Sequence, residues 1–166
     1  MYNGLNSKGC YEMEIIFIRH GKAEKRHRDL IDLERHLTDK GKKKFQKLMP
    51  SFKKKLKPNE NHKMLLWSSP ANRALETAKI VANAFQIEID RVYDFIYGGN
   101  FEELQVALEE IPDQTTLIIV GHEPILSEWV ERITGEQLQL KKGEIIKKVK
   151  EEELLDCLKQ EILKMV

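Results

Sequence analysis

The feature that most constrains this chain is a set of short, wholly apolar runs, each closed at once by glycine or small polar residues. Thr116-Leu117-Ile118-Ile119-Val120 ends in Gly121, Glu14-Ile15-Ile16-Phe17-Ile18 ends in Arg19-His20-Gly21, and Met64-Leu65-Leu66-Trp67 ends in Ser68-Ser69. Runs of this length, rich in β-branched and aromatic residues, suit strands buried on both faces and fall far short of the roughly 18 residues of a membrane span. Residues 87–92 form another strand candidate, and residues 141–149 a weaker one after a turn at Gly143.

Helical periodicity fills the intervals. Phe45, Leu48, Met49, Phe52 and Leu56, behind Thr38 as an N-cap, predict an amphipathic helix over residues 39–57 that Pro50 should kink or split. Pro70 suits the first position of a second helix, with Leu75, Ala78, Ala82 and Phe85 inward. Further helices are expected over 102–111, over 124–133 with Gly135 just past the end, and over 151–165. Buried strands alternating with helices imply a mainly parallel sheet covered on both faces, a three-layer α/β/α sandwich.

The length of 166 residues suits one domain, and 41% hydrophobic with 33% charged residues excludes a disordered chain. Residues 1–12, rich in Gly and Asn and without periodicity, read as a flexible leader to a domain spanning 13–166. A formal net charge of +1 gives no reason to expect nucleic acid. The N-terminus lacks a basic segment followed by an apolar core, so the expected location is the cytoplasm, off the membrane. Cys10 and Cys157 show no metal-type spacing and are expected as free thiols.

In parallel α/β folds, ligands bind beyond the carboxyl ends of the strands. The apolar runs here lead directly into Arg19-His20, Ser68-Ser69 and His122, with Arg73 one turn into the helix after Ser69-Pro70. Two imidazoles, two guanidinium forks and helix N-termini at one crevice match a dianionic tetrahedral phosphoryl group. Gly-x-Gly-x-x-Gly, the P-loop, His-Glu-x-x-His, the EF-hand loop and Gly-x-Ser-x-Gly are all absent. The reading left standing is phosphoryl transfer with histidine as nucleophile.

Four segments carry a family resemblance: residues 15–24 around Arg19-His20-Gly21, His36-Leu37-Thr38-Asp39-Lys40-Gly41, residues 67–78 around Arg73, and Ile118-Ile119-Val120-Gly121-His122-Glu123-Pro124. In this order and spacing the sequence resembles the histidine phosphatase, or phosphoglycerate mutase-like, superfamily, and within it the SixA-type phosphohistidine phosphatases. The resemblance implies that His20 is the nucleophile, that Arg19, Arg73 and His122 hold the phosphoryl oxygens, and that no metal or organic cofactor takes part. For the acid that protonates the leaving group, Asp94 lies where mutase-like relatives carry a Glu, and Glu24, Glu102 and Glu123 are the other carboxylates near the motifs.

The chain is short beside the mutases and larger phosphatases of the superfamily it resembles, which need insertions to build a lid, so an open site is expected. Such a site suits a phosphate carried on a protein, such as a histidine-phosphotransfer domain. The alternatives are a small phosphorylated substrate and a non-catalytic phosphate-binding protein. Between Lys40 and Lys57 there are nine Lys and no acid. That run is either the wet face of the first helix or a stripe for docking an acidic partner.

Overall fold

The computed structural model describes residues 13–56, 61–137 and 139–150; the expected leader, the expected helix over 151–165 and both cysteines lie outside them. Among the described residues five strands form one sheet: β1 (Met13–Arg19), β2 (Lys63–Ser68), β3 (Arg91–Val92), β4 (Thr115–Gly121) and β5 (Ile145–Lys150), in the order β3-β2-β4-β1-β5. The β2–β3, β2–β4 and β1–β4 pairs are parallel, and β5 runs antiparallel to β1. This is the mainly parallel sandwich expected, closed by one antiparallel edge.

Side-chain alternation divides the core between the two faces of the sheet. Ile15, Phe17, Leu65, Trp67, Leu117 and Ile119 meet α3 (Asp94–Gly98), α4 (Phe101–Glu109) and α5 (Ile125–Thr134) on one face. Ile16, Ile18, Leu66, Ile118 and Val120 meet α1 (Asp39–Leu56) and α2 (Asn72–Phe85) on the other. Every residue of β4 is buried, because it is the central strand with a layer on each side. Each such Leu, Ile or Phe contributes about 1.5–3 kcal/mol by leaving water.

Local chemistry sets the element ends. Thr38 Oγ1 accepts the Gly41 amide at 3.0 Å and caps α1, and Gly135 closes α5 at φ 73°. A Cβ on Gly41 would stand 2.3 Å from the Lys22 carbonyl oxygen, so only glycine lets α1 approach the chain leaving β1.

Four expectations are corrected. The strand over 87–92 shrinks to Arg91–Val92, because Ile87 and Ile89 pack against the α1–α2 layer instead of joining the sheet. Helix α2 starts at Asn72, with Pro70 two residues ahead of it, since Ser69 and Pro70 complete the turn out of β2. Its inner face is Ala74, Ala78, Val81 and Ala82, while Leu75 and Phe85 are half-buried at its margin. Pro50 does not split α1, which runs through it to Leu56: Met49 and Phe52 hold the helix to the sheet on either side, and Pro50 itself is exposed.

Candidate active site

The site begins where β1 and β4 end. Arg19 pairs with Gly121, and the ladder runs one bond further as the His20 amide donates to the Gly121 carbonyl at 3.1 Å. On the other side of β4, the Ser69 amide donates to the Val120 carbonyl at 3.0 Å. Three strand ends are thereby held in one row, and the connections from β1 and β4 depart to opposite faces, leaving a crevice between them. A Cβ on Gly121 would meet Ile96 at 3.0 Å and Leu126 at 3.1 Å, so glycine keeps the strand end close to α3 and α5.

His20 and His122 face each other across the crevice with ring centroids 5.1 Å apart, and both are buried. His20 Nδ1 lies 2.7 Å from the Gly21 carbonyl oxygen. A carbonyl only accepts, so Nδ1 carries the proton and Nε2 of the neutral ring carries the lone pair. Arg73 Nε donates to that Nε2 at 3.3 Å.

Burial, with the charges of Arg73, Arg19 and Arg35 behind it, lowers the pKa of His20 to about 4 despite the Gly21 hydrogen bond. Burial also lowers His122 to about 3, helped by His20 and Arg73. Both rings are neutral near pH 7. His122 is held by Ser69 Oγ at 2.6 Å from its Nε2, and Ser69 Oγ also accepts the Ala71 amide at 3.2 Å.

The guanidinium of Arg73 is buried and fully oriented. Besides His20 it meets the Asp32 carbonyl at 2.7 Å and Asp32 Oδ2 at 2.8 Å. Asp32, in the short helical turn Asp32–Glu34, also accepts from Tyr97 Oη at 3.0 Å and from Arg35 Nε at 3.0 Å. Burial alone would raise this carboxyl, but Tyr97 and Arg73 bring it down to about 2, so it is an anion. The Tyr97 ring stands edge-on to His122 at 5.5 Å.

One helix turn on, Glu76 of α2 accepts the Leu37 amide at 2.6 Å and pairs with His36 Nδ1 at 2.8 Å. The Arg73 amide donates to the Arg35 carbonyl at 3.1 Å. The segment around His36-Leu37-Thr38 is therefore laced to the first turns of α2, and it carries Asp32 to Arg73.

Of the residues expected from the sequence, His20, Arg73 and His122 come together. Arg19 ends β1 on the other face: its Nη1 donates to the Leu140 carbonyl and its guanidinium lines a cavity with Glu123 and Ser127, while its charge still reaches His20. Asp94 opens α3, exposed, with no hydrogen bond or ion pair to the imidazoles. Glu24 accepts the His36 amide, Glu102 pairs with Arg132 at 3.7 Å, and Glu123 accepts from Ser127 Oγ at 2.5 Å. None of these carboxylates touches the imidazoles.

Sequence reasoning missed Asp32 and Tyr97. The Asp32–Arg35 spacing of three was a legible ion-pair signal, but nothing local pointed from it to Arg73. Among the described residues, no group of three or more His, Cys, Asp or Glu could hold a metal ion, and no helix is long and apolar enough to cross a membrane.

A strand-end pair of neutral histidines with an oriented guanidinium makes a crevice able to receive an anion, and likeness to known proteins places the chain in a class. The family model of the histidine phosphatase superfamily (branch 1) matches residues 15–116, and the chain belongs to that superfamily, with its phosphoglycerate mutase-like fold. An uncharacterized protein of Picosynechococcus sp. is 36% identical over 142 residues, 81% of this chain and 83% of that protein. Among solved structures, the protein histidine phosphatase SixA complexed with tungstate is similar at TM-score 0.64 and 21% identity, over 78% of this chain and 83% of that one. The putative phosphohistidine phosphatase SixA from Agrobacterium tumefaciens is similar at 0.62 and 22%, over 76% and 79%. The family match stops short of His122, which the sheet brings beside His20.

Proposed function

We propose that the protein is a phosphatase that works through a phosphohistidine intermediate on His20 and takes protein-borne phosphohistidine as substrate. The observation that carries the first part is the fixed tautomer of a buried, neutral His20, with Nδ1–H on the Gly21 carbonyl and the Nε2 lone pair in the crevice. The lone pair attacks phosphorus as the bond from phosphorus to the leaving imidazole breaks, and that imidazole, already protonated by solvent on its other nitrogen, departs as a neutral ring with the electron pair. Water then attacks phospho-His20, releasing inorganic phosphate and the neutral ring. Arg73 and His122 face the charge that spreads over the phosphoryl oxygens, and Arg19 adds its positive charge from the other face of the sheet. In the crevice itself, His122 Nδ1 is buried without a hydrogen-bond partner, a rare condition that suits a group kept for an anion.

The substrate class is argued from proton supply. Among the described residues Asp32 is the one carboxyl bonded to Arg73, and with a pKa of about 2 it has no proton to give. A site at which no described residue places an acid suits a leaving group that departs readily. Imidazole, once its other nitrogen is protonated, leaves as a neutral ring whose conjugate acid has a pKa of about 6.5, far better than an alcohol near the roughly 15.7 of water. The SixA proteins that this fold resembles are described as phosphohistidine phosphatases, which accords with this choice.

The test is turnover of a phosphohistidine peptide against an alkyl phosphate, with chelator present, for wild type and Asp94→Ala. Strong preference for the peptide, with little effect of Asp94→Ala on it, is expected. Equal turnover of both, or equal losses in the variant, would move the protein to the small-molecule phosphomonoesterases.

A further inference from the structure

A second opening lies one residue from the nucleophile. Gly21, directly after His20, shares with the N-terminal turns of α1 and the Gly143 turn a cavity of about 290 Å³. Its floor is the ring of Phe45 and the half-exposed Leu48, and its rim is Lys22, Lys40, Lys44 and Lys142. The four lysines are exposed, and none has an ion-pair partner among the described residues.

The cavity is tied to the catalytic strand on two sides. The Gly143 amide donates to the His20 carbonyl at 3.0 Å, and the Thr38 amide ahead of α1 donates to the Lys22 carbonyl at 2.9 Å. The positive end of the 18-residue helix α1 adds to the field of the lysines. Unpaired lysines around an apolar floor differ from an ordinary wet face, where cations alternate with acids. Lys42 on the same helix is such a case, since it turns to Glu76 at 3.6 Å.

We infer that this groove docks an acidic segment of the phosphorylated protein substrate beside the phosphohistidine, so that Lys40, Lys44 and Lys142 select among substrates that His20 treats alike. The inference rests on the phosphatase reading above. Charge complementarity argues for the occupant: four cations and no acid line the cavity, and its floor accepts the methylenes of Glu and Asp side chains. The basic run of α1 divides accordingly. Lys40 and Lys44 belong to the groove, whereas Lys54 and Lys55 lie about 20 Å further along the helix at 1.5 Å per residue.

Two phosphohistidine peptides test this, one flanked by Asp and Glu and one by Ser and Gly. At low salt the acidic peptide is expected to have a kcat/KM about tenfold higher, with most of that gain lost as ionic strength rises to about 0.15 M and the Debye length shrinks to about 8 Å. The triple variant Lys40→Glu/Lys44→Glu/Lys142→Glu should abolish the gain and leave the neutral peptide unchanged, which also reports an intact fold. Lys54→Glu/Lys55→Glu should retain the gain. Docking is read apart from turnover by titrating the unphosphorylated acidic peptide into His20→Ala protein and following fluorescence anisotropy. If no peptide is hydrolysed while this binding persists and disappears in the triple variant, the phosphatase reading falls and the docking face stands. Equal handling of both peptides, equal effects of the two charge reversals, or stronger binding of phosphatidylserine vesicles or inorganic polyphosphate than of the acidic peptide would overturn the inference.

Discussion

His20 and His122 owe their neutrality to burial, and that has a sign. The unfolded chain takes up protons on these rings near pH 6.5, while the folded chain does so only near pH 4 and pH 3. Folding stability is therefore full above about pH 6.5 and falls as the pH drops, by about 2 kcal/mol per histidine by pH 5. Replacing His122 by Gln should flatten that decline by about this amount when urea unfolding is compared at pH 7 and pH 5. Ring proton resonances of both histidines should stay at their neutral shifts down to about pH 5, and titration near pH 6.5 would contradict the site as described. Asp32 is the second residue with a defined consequence. Asp32→Ala leaves Arg73 Nη2 without its carboxylate, and the expected cost is about 1–3 kcal/mol in stability together with a loss of turnover. Asp32→Asn, which keeps an acceptor, should recover stability more than activity. A variant that loses stability alone would show that Asp32 braces the loop without orienting Arg73.

At the scale of elements, strands and site were legible for the same reason. A strand buried on both faces must be apolar throughout, so its end is marked by the first polar residue, and Arg19-His20, Ser68-Ser69 and His122 mark three neighbouring ends. The short helix α3 was not legible, because five residues carry too little periodicity, and with it went the placement of Tyr97 against His122. Asp32 escaped for a related reason: it sits in an irregular segment whose position is set by bonds from Glu34, Arg35 and Leu37 to α2, contacts between stretches far apart in sequence. Pro50 is the clearest case of packing overriding local preference, since Phe45, Met49, Phe52 and Leu56 are all buried around it. Pro50→Ala restores a helix amide and should raise stability by about 1–3 kcal/mol, a gain of several degrees in melting temperature. No change, or a loss, would mean that Pro50 meets no strain in this helix.

For the whole molecule, the sheet order explains why residues near each end of the described chain form one site. Placing β4 between β1 and β2 brings His122 and Ser69 to His20, and the layers on each face bury them enough to keep both rings neutral. The motifs alone could not give that neutrality, because it depends on how tightly α2, α3 and the Asp32 turn close over the strand ends. The central claim is that His20 is the phosphoryl acceptor, and rapid-quench trapping tests it most directly. Enzyme mixed with a labelled phosphohistidine peptide, quenched in base within the first turnover and digested for mass spectrometry, should show one phosphoryl group, acid-labile, on the peptide that contains His20, and His20→Ala protein should show neither label nor phosphate release. Label on another residue, or phosphate release undiminished in His20→Ala, would contradict it.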